Sequence, residues 1–186
     1  VEGLINAPKL TSEQSEIHQA LIESVGSNIT LKYPKNGEYR SAYVIANIDD
    51  EPTDEAMVFY EYTSNGSEED GLRVNILDKD EDGKWYSVKE LAGAGTDIDQ
   101  VIISPMGSNN QTDVFVGYQN LTNDEKTMEI YSYTDGDFKR VALDTYSVLE
   151  PLDINNDGYI ELITIQRSTN NDTGAVTAKA SMLNMK

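Results

Sequence analysis

A short acidic segment near the end of the chain, residues 153–161, combines the residue types that bind calcium. Calcium takes about six to eight hard oxygen ligands in a flexible geometry. Side chains at alternate positions of a tight turn point inward, Gly158 permits the sharp bend, and the carboxylate at position 161 closes the loop from the next strand. The pattern predicts one structural calcium ion. Its candidate ligands are the side chains of Asp153, Asn155, Asp157 and Glu161 and the backbone carbonyl of Tyr159.

The same residues are also compatible with an acidic turn that is simply solvated, and this alternative stays open. An EF-hand is not compatible, because its twelfth loop position needs a bidentate Glu and Thr164 stands there. A second segment, 78–83, begins in the same way but has Tyr86 where the last carboxylate is needed. Since Asp82-Gly83 is a strong turn pair, this segment predicts a hairpin, with weak metal binding as the alternative.

Catalytic motifs are absent from the rest of the sequence. It contains no Gly-x-Ser-x-Gly elbow, phosphate-binding loop or histidine-based zinc motif. The single histidine, His18, falls on the polar side of a predicted helix. Carboxylates are abundant enough for an acid/base pair of the glycosidase type, so a glycan-acting hydrolase stays open. Aromatic residues on predicted strands are expected mainly in the core, with a carbohydrate- or peptide-binding face as the alternative: Tyr43, Tyr60, Tyr62, Trp85, Tyr118, Tyr131 and Tyr133.

The composition indicates a folded, strongly acidic protein and excludes several kinds of site. The 186 residues are 38% hydrophobic and 25% charged, which leaves enough apolar side chain for a folded core. With 33 acidic and 14 basic residues the formal net charge is −19, which disfavours binding to nucleic acid or to an anionic membrane surface. The chain has no cysteine, and this excludes disulfides, thiolate zinc sites and a cysteine nucleophile.

One helix is predicted, over residues 12–25. Apolar residues recur at steps of three and four through Ile17, Ala20, Leu21 and Val25. Thr11 precedes this segment and Gln14 follows three positions later, which is a capping-box arrangement. Gly26 is a typical C-terminal stop. The helix is expected to pack on the rest of the fold.

After Gly26 the hydrophobic pattern changes to period two and predicts only strands. They are bounded by turn pairs such as Asn65-Gly66, Asp135-Gly136 and Asp157-Gly158. The predicted strands are 29–33, 41–48, 56–63, 71–78, 85–91, 99–104, 112–119, 126–133, 137–143, 147–153, 159–166 and 174–182. So many short strands at even spacing indicate an all-β sandwich, barrel or propeller.

An internal repeat favours the propeller. Three segments, 47–55, 105–113 and 153–161, align without gaps, and each ends in an acidic residue at the entry of an apolar strand. These anchors are Glu55, Asp113 and Glu161, separated by 58 and 48 residues. About four strands per repeat is the periodicity of propeller blades. We therefore predict an all-β fold with one N-terminal helix and about three antiparallel four-stranded propeller-type blades, a partial propeller.

The third segment resembles the calcium loops of FG-GAP and VCBS repeats, as in the integrin alpha-chain propeller. It matches the pattern Asp-x-Asp/Asn-x-Asp-Gly-x-x-Asp/Glu-Leu at every defined position through Leu162. The first segment has Pro52 in place of the glycine and Asn47 in place of the leading carboxylate, so weaker calcium binding is expected there. The second keeps little beyond Asn109 and Asp113.

The whole chain is also similar to secreted bacterial lipoproteins that carry such repeats and have no assigned activity. The stretches that carry this resemblance are 7–14, 31–35, 39–43 and 92–97. The resemblance implies an exported protein at the cell surface or outside the cell. It also implies that membrane attachment occurs only through a lipid anchor, on a cysteine upstream of Val1.

The predicted organisation is an N-terminal helix with a lead-in strand (1–38), followed by one structural unit of repeats (39–186, divided near 39–97, 98–145 and 146–186). Three blades cannot close a ring, so we expect part of a longer propeller or an open array. The strand at 29–33 could complete the third blade only in a closed ring. The predicted function is a non-catalytic extracellular binding or scaffold module with a structural calcium loop and an unknown protein or carbohydrate ligand. The alternative is a glycan-acting hydrolase with carboxylates at a propeller face.

Overall fold

The computed structural model describes residues 10–63, 71–107, 111–120, 125–170 and 172–183. Within these ranges the predicted helix and all the predicted strands are present, with ends that differ by up to three residues. The predicted turn at Asn65-Gly66 and Asn109 of the second repeat lie outside the described residues. The elements are α1 (Ser12–Val25), β1 (Ile29–Leu31), β2 (Tyr43–Ala46), β3 (Glu55–Tyr62), β4 (Leu72–Lys79), β5 (Trp85–Ala92), β6 (Asp97–Ser104), β7 (Asp113–Gln119), β8 (Lys126–Thr134), β9 (Asp137–Tyr146), β10 (Val148–Leu152), β11 (Glu161–Thr169) and β12 (Val176–Leu183).

The helix α1 begins and ends where the sequence predicts. The Gln14 backbone N–H donates to the Thr11 hydroxyl and the Thr11 backbone N–H donates to the Gln14 side chain, both at 3.1 Å, which completes the capping box. Gly26 follows the helix with φ at +83°, a value that glycine adopts without strain. The buried side chains of Ile17 and Leu21 fix the face that α1 turns to the first sheet.

The strands form three antiparallel sheets in which chain neighbours pair. The first sheet has the order β1-β3-β4-β5, with β2 also paired to β3, and the second has the order β6-β7-β8-β9. The third has the order β10-β11-β12. Because β1 pairs with β3, through Ile29 opposite Tyr62, this strand belongs to the first sheet and does not complete the third.

Period-two patterning places a core on both faces of the inner sheets. In β3, Val58 and Tyr60 pack toward α1, whereas Met57 and Phe59 pack toward the second sheet. A third cluster joins the second and third sheets and includes Phe115 of β7. The helix and the three sheets therefore stack in a row, and the exposed strand β12 lies in the last sheet.

This arrangement confirms the prediction of a mainly β fold with one helix and antiparallel sheets. The sheets contain the strand groups that the repeat alignment gives, namely β2–β5, β6–β9 and β10–β12. Over the described residues the sheets hold three to five strands and show no closed barrel or ring. The finer assignment to propeller-type blades stays a prediction.

Candidate functional site

The three aligned loops are closed by the same hydrogen bond. Each anchor carboxylate is the first residue of the second strand of its group, and each is buried, with exposures of 1%, 1% and 5%. One oxygen of each anchor accepts the backbone N–H of the residue seven positions earlier. The pairs are Ile48 with Glu55 (2.7 Å), Met106 with Asp113 (2.9 Å) and Ile154 with Glu161 (3.0 Å). The repeat alignment therefore corresponds to a repeated structural device.

The second oxygen of each anchor distinguishes the three loops. In the second loop Asp113 Oδ1 accepts the hydroxyl of Ser132, which lies on β8. In the third loop Glu161 Oε1 faces the amide nitrogen of Asn155 at 3.3 Å. In the first loop Glu55 Oε1 is buried and has no hydrogen-bond donor among the described residues. Over the described parts of the three loops, Glu55 is therefore the anchor with an unsatisfied oxygen.

The third loop folds as the tight turn that the sequence predicts. The two oxygens of Asp153 accept the backbone N–H groups of Asp157 at 3.1 Å and of Gly158 at 3.0 Å. Asn155 Oδ1 also accepts the Asp157 N–H, at 2.9 Å. Gly158 has φ at +89°, in the left-handed region that favours glycine. The Tyr159 N–H donates to Asp157 Oδ1 at 3.0 Å. Asp153, Asn155 and Asp157 therefore lie on one turn, and Glu161 follows it at the start of β11.

The side-chain amide of Asn155 lies between two of the predicted ligand carboxylates. The Asn155 amide nitrogen lies 2.9 Å from Asp157 Oδ2 and 3.3 Å from Glu161 Oε1. Oxygen ligands held at ~2.3–2.6 Å around calcium are themselves about 3–3.5 Å apart. An amide can be rotated to exchange its nitrogen and oxygen. This rotation would turn Asn155 Oδ1 toward both carboxylates and would break the hydrogen bond that Oδ1 accepts from the Asp157 N–H.

The loop does not hold a preassembled cluster of acidic ligands. Among the described residues, no group of three or more His, Cys, Asp and Glu side chains is arranged to hold a metal ion. In the third loop the amide group of Asn155 stands between the carboxylates of Asp157 and Glu161 and bridges them by hydrogen bonds. The side chains are of the oxygen-donor type that calcium takes, and the amide of Asn155 would have to turn for its oxygen to join the two carboxylates.

The first loop uses its polar side chains differently. The Asn47 amide donates to the backbone carbonyls of Glu51 and Thr53, the latter at 2.9 Å, so this residue supports the loop backbone. Asp49 Oδ1 accepts the Glu51 N–H at 2.7 Å, as Asn155 does for Asp157 in the third loop. Asn47 stands where the third loop has the carboxylate of Asp153, so the first loop has one carboxylate ligand fewer. The Asn47 amide group is already engaged in hydrogen bonds to the loop backbone.

An acidic cleft of about 170 Å³ lies beside the first loop, between the first sheet and the β8–β9 hairpin of the second. Burial raises the pKa of Glu55 to about 7; the Ile48 N–H opposes this shift, and the negative charges of Asp49 and Asp78 add to it. The pKa of Asp49 is raised as well, first by burial. The cleft is lined by the acidic residues Asp49, Glu51, Glu55, Asp78 and Asp137 and, among others, by Tyr86 and Tyr133. We call it the acidic cleft.

The segment 78–83 is a hairpin, as the sequence predicts. Asp80 Oδ1 accepts the backbone N–H groups of Asp82 and Lys84 at 3.0 and 2.9 Å, and Gly83 has φ at +76°. The carboxylate of Asp80 is therefore engaged in turn formation. Asp78 lies at the end of β4 and lines the acidic cleft.

The aromatic residues serve mainly in the core, as predicted. Four of the strand tyrosines and Trp85 are buried, and Tyr62 and Tyr133 are partly buried. His18 Nδ1 and the Tyr43 hydroxyl share a hydrogen bond of 2.7 Å. Burial raises the pKa of Tyr43 to about 12, so its hydroxyl stays neutral and this pair serves as a packing contact of α1.

Sequence reasoning missed a buried polar network in the second sheet. Asp99 Oδ2 accepts the Tyr146 hydroxyl at 2.7 Å, while its Oδ1 accepts from Asn36 at 2.9 Å and Lys126 at 2.8 Å. Burial alone would raise the pKa of Asp99, but these three donors outweigh it and lower the pKa. The local sequence gives little signal for this network, because Asp99 stands between Ile98 and Gln100 and its partners come from other elements.

Comparison with known proteins gives no match, since no protein-family model, no curated protein and no solved structure is significantly similar to this chain. Among the described residues, no helix combines the length and apolar character needed to cross a membrane. The fold and the loops define a mainly β protein with three antiparallel sheets. Each sheet has its own buried carboxylate, which closes the loop before its strand.

Proposed function

We propose that this protein is a non-catalytic binding or scaffold module of propeller-type repeats whose third loop holds a structural calcium ion. The observation that carries the proposal is the repeated loop closure by Glu55, Asp113 and Glu161. A buried carboxylate that starts a strand and accepts a hydrogen bond from the loop backbone stabilises the folded loop. Its repetition at all three anchors supports a scaffold in which acidic residues organise loops.

Calcium at the third loop would act as a cross-link. Asp153 and Asp157 belong to the turn, whereas Glu161 begins β11, so one ion would join the turn to the sheet. The ion would also offset the repulsion among carboxylates that are crowded into a single turn. Binding to the folded state alone would stabilise it by about 2.7 kcal/mol at a hundredfold excess over Kd.

The binding partner in this proposal is a protein or carbohydrate outside the cell, and attachment to a membrane occurs only through a lipid anchor. The formal net charge of −19 argues against nucleic acid as the partner. The third sheet offers surface for contact, because β12 is exposed along most of its length. Exposed apolar side chains there include Val176 and Met182, at 65% and 57% exposure.

Thermal unfolding in calcium and in EDTA tests the metal. We expect millimolar calcium to raise the midpoint of the native protein and to leave Asp157→Ala unchanged. The matched control is Asp82→Ala, since Asp82 is an exposed acid in another tight turn and should retain the native response. An unchanged native midpoint, or equal shifts in all three proteins, would show that the third loop is only an acidic turn. A glycan and peptide array on the calcium-loaded protein then tests the partner class.

A glycan-acting hydrolase is the second candidate, and one observation favours it. The acidic cleft contains two carboxyl groups with raised pKa values, Glu55 and Asp49, and general acids in glycosidases have such values. Turnover of a panel of chromogenic glycosides tests this candidate. It requires activity that is abolished in Glu55→Gln, whereas the absence of hydrolysis across the panel supports the binding function.

A further inference from the structure

The Oε1 atom of Glu55 differs in its hydrogen bonding from the corresponding oxygens of the other two anchors. The corresponding oxygens in the second and third loops have donors, from Ser132 and Asn155. Glu55 is only 1% exposed, and its Oε1 atom has no donor among the described residues. A buried carboxylate oxygen without a partner costs free energy comparable to a lost hydrogen bond or more. An additional donor from outside the chain would remove this cost.

Among the described residues that line the acidic cleft, every charged side chain is a carboxylate. Asp49 and Asp78 are the charged groups that act most strongly on Glu55, and no ion pair to them is found in the described part of the chain. Lys89 pairs with Asp137 at 2.6 Å and donates to a backbone carbonyl, so its charge is already used at the cleft rim. Lys79 pairs with Glu13.

The walls of the cleft select the chemistry of the ligand. The volume of about 170 Å³ is several times that of one water molecule and larger than a bare metal ion requires. Beyond the carboxylates, Ile76, Val88 and Phe138 provide apolar surface, and Tyr86 and Tyr133 provide aromatic rings. Such walls suit a cation that carries a short hydrocarbon stem, because methylene groups gain from burial and rings attract cations.

We propose that the acidic cleft binds a primary alkylammonium group, with the ammonium on Glu55 Oε1, Asp49 and Asp78 and the stem against the apolar wall. A lysine side chain of a peptide and a free polyamine both carry this group. The assignment rests on the proposed binding function and gives that function a ligand class. The first loop is a poor alternative host for calcium, because the Asn47 amide is consumed by the loop backbone.

Isothermal titration calorimetry on the full chain, at pH 8 and ~150 mM salt to screen the general negative charge, tests the proposal. The probes are butylammonium, 1,4-diaminobutane and a capped lysine with a free side-chain amine, and the uncharged control is 1-butanol. We expect one site for the amines and no binding of butanol. The affinity should fall at least tenfold in Glu55→Gln and in Asp78→Asn, and change less than twofold in Glu150→Gln, an exposed acid on β10.

The outcomes separate the possible sources of the ligand. Binding of the capped lysine assigns the site to a peptide side chain, and binding of diaminobutane alone assigns it to a free polyamine; both support the proposal. Equal binding by all variants would mean nonspecific attraction to the negative charge and would overturn it. The proposal would also be overturned if no amine binds and calcium binds instead, with that calcium binding lost in Asp78→Asn. If amines do not bind while calcium still stabilises the third loop, this inference fails and the proposed function stands.

Discussion

Replacing Glu55 with glutamine should stabilise the protein in a pH-dependent manner. The native carboxyl has a pKa of about 7 when folded, against an ordinary value of 4.5. The folded protein therefore holds this proton more tightly than the unfolded chain does, and the free energy of unfolding falls as pH rises from about 4.5 to 7. Glutamine carries no such proton. It can accept the Ile48 N–H with one atom and donate toward Asp49 and Asp78 with the other.

The size of the effect follows from the two pKa values. One unit of pKa corresponds to about 1.36 kcal/mol, so the full difference is about 3 kcal/mol, of which roughly 2–3 kcal/mol develops between pH 5 and pH 8. Urea unfolding at these two pH values, followed by the fluorescence of the single, buried Trp85, measures it. Both pH values lie above the isoelectric point of about 4.2, so the protein keeps a net negative charge in both measurements. The stability gain of Glu55→Gln over the native protein should be larger at pH 8 by this amount.

Glu161→Gln is the matched control, because Glu161 occupies the equivalent anchor position and both of its oxygens already face donors. We expect this variant to be less stable than the native protein at both pH values. If Glu55→Gln changes the unfolding free energy equally at pH 5 and pH 8, the burial argument for Glu55 is refuted.

Two further predictions concern the second sheet. Gly117→Ala should destabilise the protein by several kcal/mol, roughly as severe overpacking does, because a Cβ there would lie 2.1 Å from the Tyr146 hydroxyl. Adding Tyr146→Phe should recover part of this loss in urea unfolding, and no recovery would contradict the contact. Asp99→Asn should cost about 2–4 kcal/mol at pH 7, since it weakens three hydrogen bonds to a buried carboxylate. The pKa of Asp99 is lowered in the folded state, so its stabilisation is present at neutral pH and the deficit of the variant should shrink as pH falls below about 4.

Local sequence patterns determined most of the secondary structure. The capping box of Thr11 and Gln14 and the stop at Gly26 fixed α1, because capping involves residues within one turn of one another. Period-two alternation located the strands, because a pleated strand turns successive side chains to opposite faces. Strand ends differ from the prediction: β11 begins at Glu161, two residues later than predicted, because the carboxylate closes the loop there.

The repeat alignment also came from the sequence, and it located the three anchors correctly at the starts of β3, β7 and β11. The closure of each loop could be predicted from the sequence because its hydrogen bond joins residues only seven positions apart. The turn at Gly158 was accessible for the same reason.

Tertiary structure alone decided what each anchor faces. Asp113 meets Ser132 from 19 residues away, whereas Glu55 meets Asp78 and a hairpin of the next sheet. Asp99 gathers partners that lie up to 63 residues away. The sequence does not show whether a carboxylate on a strand will face hydrogen-bond donors or other negative charges. Its neighbours are determined only when the sheets pack against one another. The acidic cleft and the unsatisfied oxygen of Glu55 therefore depend on packing between segments that are distant in the chain.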